Sequence, residues 1–276
     1  MSELLDATKT LSEAWLQALT HAVSQRGGRC VHLVMTVENP GSEDETFRDV
    51  LDLALNEANS QSVETVAGTI FPNSLYQSPG FSWSPDLDEQ AVRELDAAAH
   101  NLYERYVGML PVLLRVRANN RGTYFSRMVT WPGKEAGGTN QLDLRISRIR
   151  NEFARSRRTN NTLDIDVGAD ALISEPVAGV QVYAPSDQRT RGFPCLVHID
   201  LTLVDGTLHC LAVYRHQYLI TKAYGNLVGL SHLMHFLCEQ TGADCGELVV
   251  HATLADAEPN HRARPQELVR SLGALL

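Results

Sequence analysis

Between residues 195 and 204 apolar and polar side chains alternate. Cys195, Val197, Ile199, Leu201 and Leu203 hold one set of positions, and Leu196, His198, Asp200 and Thr202 hold the other. A period of two predicts a strand buried on one face, and Asp205-Gly206 behind it predicts a tight hairpin. A two-residue turn there sets Leu196 opposite Arg215 and Cys195 opposite His216, bringing a thiol and a guanidinium to the open end of one hairpin. Regular pairing still leaves Cys195 and Arg215 on opposite faces. Their contact requires a bulge or twist, a feature common beside active sites, and expected here within 214–218. After Asn226, the positions Leu227, Leu230, Leu233, Met234, Leu237 and Cys238 follow helical spacing until Gly242, which predicts a long helix buried on one face.

The rest of the chain reads more coarsely. Helical spacing covers 4–24, 45–56 and 87–106, with 112–116 either extending the last helix or forming a short strand. A strand is predicted over 29–37, a turn at Asn39-Pro40-Gly41-Ser42, and a short helix over 62–69 closed by Phe71-Pro72-Asn73. The segment 122–131 carries Tyr124, Phe125 and Val129, and a helix is expected over 140–153. No repeat of about 20–50 residues stands out, which argues against a solenoid.

Composition narrows the class without naming a function. At 276 residues, with 43% hydrophobic and 21% charged positions, the chain has ordinary globular usage and the length to enclose a large core. A single domain over 1–276 suffices. The net charge of −9 disfavours a nucleic-acid polymer as partner, while leaving room for a small cationic pocket that takes one phosphate. No basic segment followed by an apolar run opens the chain, and no stretch of about 18 apolar residues occurs, so a cytoplasmic protein without a membrane partner is expected.

The five cysteines form neither a CxxC pair nor a zinc-ligand spacing. Cys30, Cys210 and Cys238 sit in apolar patterns and read as small buried hydrophobes. Cys195 differs because it follows Pro194 and precedes the hairpin arginine, which marks it as a candidate nucleophile. His232 and His235 on the long helix lack a third ligand, and no metal site is expected there.

Pro194-Cys195 opening a strand, Arg215 20 residues later and Asn226 11 residues beyond at the start of a helix resemble the thymidylate synthase family. That resemblance implies an α+β fold with a mixed sheet of about six strands flanked by helices, in a homodimer whose sheets pack back to back. It implies that Cys195 adds to C6 of a pyrimidine nucleoside 5′-monophosphate, UMP or dUMP ahead of CMP or dCMP, so that C5 captures a one-carbon unit. Arg215 then holds the phosphate with His216 beside it, Asn226 reads the O4/N3 edge of the base, and Tyr124 lies over the ring. The catalytic carboxylate is matched by Glu64, with Glu57 as competitor. Further phosphate contacts fall to Ser156-Arg157-Arg158 or to Arg189 and Arg191.

The family's one-carbon donor is 5,10-methylenetetrahydrofolate, and here the chain departs from the pattern. Tyr218 stands where the family has the aspartate that contacts the pterin, and Asp256 and Glu258 stand where a His-x-Tyr holds the ribose. About 20 residues follow, fewer than the family's closing tail, which favours a hydroxymethyl over a methyl product. The alternative reading is a nucleotide-binding or assembly protein that keeps the scaffold without the reaction.

Overall fold

The computed structural model describes residues 3–131, 137–154, 180–182 and 193–276. Its strands are β1 (Glu3–Leu4), β2 (Arg29–Val37), β3 (Val180–Gln181), β4 (Leu196–Val204), β5 (Thr207–Tyr214), β6 (Gln217–Tyr218) and β7 (Asp244–Asp256). They form one mixed sheet in the order β1-β2-β7-β5-β4-β3, with β6 alongside β7. The β4–β5 hairpin closes through Asp205 (φ 49°) and Gly206 (φ 90°), both left-handed as a two-residue hairpin turn requires. Along β5 the inward positions Leu208, Cys210, Ala212 and Tyr214 are buried, and β4 opposes them with Leu196, Ile199 and Leu201.

Helices α1 (Leu11–Ser24), α2 (Glu45–Glu57), α3 (Val63–Ala67), α4 (Glu89–Leu113), α5 (Tyr124–Val129), α6 (Gln141–Ala154), α7 (Tyr224–Thr241) and α8 (Pro265–Leu272) accompany the sheet. The architecture is the α+β class expected, with seven strands described. Buried residues of helices and sheet form one contiguous core from Leu5 to Leu272. At its centre the Trp15 ring meets Phe47 and Tyr224 edge-on at 5.7 and 5.9 Å, and its indole N–H donates to the Leu219 carbonyl at 2.6 Å. Truncating such a side chain costs about 3–5 kcal/mol.

Two element boundaries and one burial pattern refine the sequence expectation for identifiable reasons. The first helix starts at Leu11 rather than residue 4, because Thr10 and Glu13 form a capping box and Glu3–Leu4 pair with Leu33 and Val34 instead. Of the 112–116 segment, Val112 and Leu113 extend the helix, since α4 continues through Pro111 to Leu113, and 114–116 form a turn rather than a strand. α7 is not buried on one face only: within it, His232, His235 and Glu239 alone escape burial. α1, α3, α4 and α6 all pack against it, so polar positions that mark a wet face in isolation are covered here.

Candidate active site

The irregularity expected in the hairpin is present, but on the other strand. His198 pairs with Val213 and Leu196 with Tyr214, leaving Val197 as the extra residue of a bulge. The cause is burial: regular pairing would turn Leu196 to the half-exposed face, whereas the bulge admits it to the core beside Tyr214, both fully buried. Downstream the register has moved by one. Cys195 now stands opposite Arg215 rather than His216, with the Arg215 N–H donating to the Cys195 carbonyl at 2.9 Å. Arg215 Nε also donates to the Pro194 carbonyl at 2.8 Å, tying the guanidinium to the residue before the thiol.

Cys195 borders a cavity of about 260 Å³. Its walls come from distant parts of the chain: Val66 and Thr69 at α3, Tyr124 at the start of α5, His216 to Tyr218 at β6, and Lys222 and Asn226 around the start of α7. Tyr124 accepts from the backbone N–H groups of Cys195 and Leu196 at 3.1 and 3.3 Å, and its ring lies 4.9 Å from that of Phe193. Burial pushes its phenol up to about 12, so it remains a neutral anchor for the strand start. Asn226 is buried (5% exposed). It reaches the cavity because Gly225 lets α3 and α7 approach closely: a Cβ there would lie 2.6 Å from that of Val66.

Between β6 and α7 the chain makes a π-helical turn, Leu219–Ala223, a local feature frequent at functional sites. Lys222 projects from it into the cavity and bonds the Gln61 side chain. The turn is held by Glu258, which accepts from the backbone N–H groups of Ile220 and Thr221 at 3.0 and 2.9 Å and from the Thr221 hydroxyl at 2.9 Å. Burial lowers the Lys222 ammonium below its ordinary range, opposed by Glu258 and Cys195. Burial likewise raises the Cys195 thiol, opposed by Arg215 and Lys222. The two cations favour the thiolate, yet burial outweighs them and the resting group is the thiol.

No carboxylate lines this cavity among the described residues. Glu64 sits on α3 with its side chain half-exposed and paired to Arg48 at 2.8 Å, outside the cavity wall. Glu57 is exposed at the end of α2. Asp256 accepts from Arg29 Nε at 2.8 Å and lies 3.8 Å from His216 Nε2, while Tyr218 stacks on His216 at 4.3 Å. The structure thus gathers Cys195, Tyr124, His216 and Asn226 around one space, with Arg215 beside Cys195, and leaves Glu64 apart. Arg157, Arg158, Arg189 and Arg191 lie outside the described residues.

Of the cavity residues that went unnoticed in the sequence, Lys222 and Gln217 matter most here. Lys222 was visible as a lone cation inside the apolar stretch Leu219-Ile220-Thr221-Lys222-Ala223-Tyr224, a combination that is costly unless the charge has a use. Gln217 carried no such signal. Among the described residues no cluster of His, Cys, Asp or Glu is arranged to hold a metal, and no helix is long and apolar enough to cross a membrane.

No family model matches the chain. Over 133 residues it is 23% identical to a protein of Methanothermobacter thermautotrophicus named "Putative thymidylate synthase", covering 48% of this chain and 51% of that protein. A protein of the same name from Methanothermobacter marburgensis is 22% identical over 136 residues, covering 49% and 52%. The chain spans about half the length of these curated relatives. The likenesses give weak support to a distant thymidylate synthase-like relationship.

Proposed function

We propose that the cavity binds a pyrimidine nucleoside 5′-monophosphate and that Cys195 adds to C6 of its ring. One observation carries the reading. In a chain of net charge −9, this cavity has no carboxylate on its wall among the described residues and combines Cys195 with Lys222, His216 and Asn226. Such a wall suits an anionic ligand, and a carboxamide beside a thiol suits a polar heterocycle. In the proposed reaction the Cys195 thiol gives up its proton to solvent, Sγ bonds C6, and the electron pair of the C5=C6 double bond passes to C5. C5 then bonds a one-carbon electrophile, loses its proton, and the Sγ–C6 bond breaks to restore the ring. Arg215 and Lys222 hold the phosphate.

The fit to methylenetetrahydrofolate is poor. Where the resemblance expects a pterin-binding aspartate, Tyr218 lies against His216, and Asp256 and Glu258 are engaged by Arg29 and by backbone amides. No step is assigned through folate, and the choice between a methyl and a hydroxymethyl product is left to the assay below. A homodimer belongs to the same proposal. The sheet face away from the core carries Val34, Leu211, Val213 and Val249 incompletely buried, and sedimentation showing monomer alone at micromolar concentration would remove it.

The absence of a carboxylate from the cavity wall among the described residues favours a second reading, nucleotide binding without turnover. Tritium release from 5-labelled UMP, dUMP, CMP and dCMP separates the two, because reversible addition at C6 makes the C5 hydrogen exchangeable without any donor. Release by the wild type that Cys195→Ser abolishes supports the enzyme. Calorimetric binding without release, in both proteins, supports the binding protein. Adding methylenetetrahydrofolate to a releasing enzyme then identifies the product, if any.

A further inference from the structure

Gln217 is the third residue of the Arg215-His216-Gln217-Tyr218 segment and lines the cavity. It is 1% exposed, yet neither its amide nitrogen nor its carbonyl oxygen has a hydrogen-bond partner among the described residues. Burying an unpaired amide is costly, and folded proteins avoid it. The other two buried glutamines obey that rule: Gln141 donates to the Arg127 carbonyl at 2.9 Å, and Gln240 donates to the Tyr76 hydroxyl and the Leu95 carbonyl, both at 3.1 Å. Of the three buried glutamines among the described residues, Gln217 alone is left with both ends open. Packing does not explain this, since a methionine fills the same space without the cost.

We propose that Gln217 is a base-reading residue of the cavity, its carboxamide meeting a neighbouring donor and acceptor on the edge of the bound heterocycle. This rests on the pyrimidine reading above and deepens it. A carboxamide offers one acceptor and two donors at the spacing of an amide edge. Because no protein group pins either end, the amide is able to present itself in either sense. In one sense it complements the N3–H and carbonyl of uracil; turned over, it complements N3 and the exocyclic amine of cytosine. Gln217 therefore contributes affinity for both bases, and the preference between them resides in Asn226.

The test is Gln217→Met, an apolar side chain of similar length, with UMP, CMP and ribose 5-phosphate as calorimetric probes and thermal unfolding of the free protein as control. Affinity for both nucleotides should fall roughly ten- to hundredfold. Ribose 5-phosphate binding should be unchanged, and the free variant should melt at or above the wild type, because the substitution removes an unpaired buried group. Unchanged binding of UMP and CMP overturns the proposal while leaving the pyrimidine reading intact. A variant that melts several degrees lower, or loses ribose 5-phosphate in parallel with the nucleotides, shows a structural role and overturns it equally. A folded wild type that binds neither nucleotide overturns the pyrimidine reading and this proposal with it.

Discussion

A single methyl group added at Gly225 tests how the cavity wall is built. A Cβ there falls 2.6 Å from Val66 Cβ, 2.8 Å from Val66 Cγ1 and 2.8 Å from the Val63 carbonyl oxygen, whereas carbon contacts are relaxed at about 3.5–4.0 Å. α3 must retreat by roughly 1 Å, because one of the opposing atoms is backbone and no rotamer change relieves it. Overpacking of this kind costs about 1–3 kcal/mol, and the backbone contact places Gly225→Ala in the upper part of that range. Helix propensity acts the other way, by about 1 kcal/mol for glycine to alanine. Packing wins by about 1–2 kcal/mol, which for a chain of this size lowers the melting temperature by about 2–8 °C. Gly108 supplies the control, since it is exposed on α4 and nothing lies within 4 Å of its added Cβ. Gly108→Ala should therefore raise the melting temperature by about 2–4 °C. Nucleotide affinity should fall in Gly225→Ala alone, because Val66 and Asn226 face the cavity from the two separated helices. A Gly225→Ala protein that melts with or above the wild type would refute the close α3–α7 contact and the cavity geometry that depends on it.

Other expectations follow from the electrostatics. Cys195 should alkylate with an apparent pKa above the ordinary 9.0, and Lys222→Met should raise it further, slowing modification at pH 8 because the thiolate is the reactive form. Mass spectrometry should show Cys245 alkylating ahead of Cys195 at that pH, since Cys245 is exposed and a bond from Cys238 holds its thiol below the usual range. Glu64→Gln should change stability by less than about 1 kcal/mol, as its partner Arg48 and its own exposure make the pair a surface one. The same variant should change tritium release by less than roughly tenfold, and a loss of about 10²-fold or more would place Glu64 in the chemistry.

Much of this architecture was legible because it rests on local pattern. The alternation after Cys195 and the Asp205-Gly206 turn specify the hairpin, and the strand at Arg29–Val37 emerges at its exact bounds. The need for a bulge was also readable. Its place was not, because periodicity shows that the register must shift without showing which strand absorbs the extra residue. That is decided by the core, which takes Leu196. The start of α1 was readable in principle from Thr10-Leu11-Ser12-Glu13, a capping-box sequence, but the apolar spacing upstream masked it. Glu64 lies on α3 but pairs with Arg48, while Val66 and Thr69 of the same segment face the cavity, a rotation that sequence spacing alone left undefined. Gln217 was beyond reach for a different reason: an unpaired amide is a property of its surroundings, and no residue pattern encodes it.

Asp256 and Glu258 stand where the resemblance expects ribose ligands, and their contacts give them another task. Both lie behind the cavity wall: Asp256 near His216, and Glu258 on the amides of Ile220 and Thr221, next to Lys222. Negative charge is thereby kept one layer behind the cavity wall, while Lys222, on the turn that Glu258 holds, faces inward. Glu258→Ala removes the acceptor for three donors and should destabilise the fold by about 2–4 kcal/mol, with nucleotide affinity falling as the turn bearing Lys222 loosens. The pH dependence has a definite sign. Burial outweighs the hydrogen bonds and raises the Glu258 carboxyl above its ordinary 4.5, so the folded state binds its proton more tightly than the unfolded one. The stability linked to that shift is fully present below about pH 4.5 and is lost as pH rises through the folded value. The wild type's advantage over Glu258→Ala in urea denaturation should accordingly be largest in acid and shrink toward neutrality. An advantage that instead grows from pH 4.5 to 7 would mean that the three hydrogen bonds outweigh burial, and that Glu258 holds the turn chiefly as an anion.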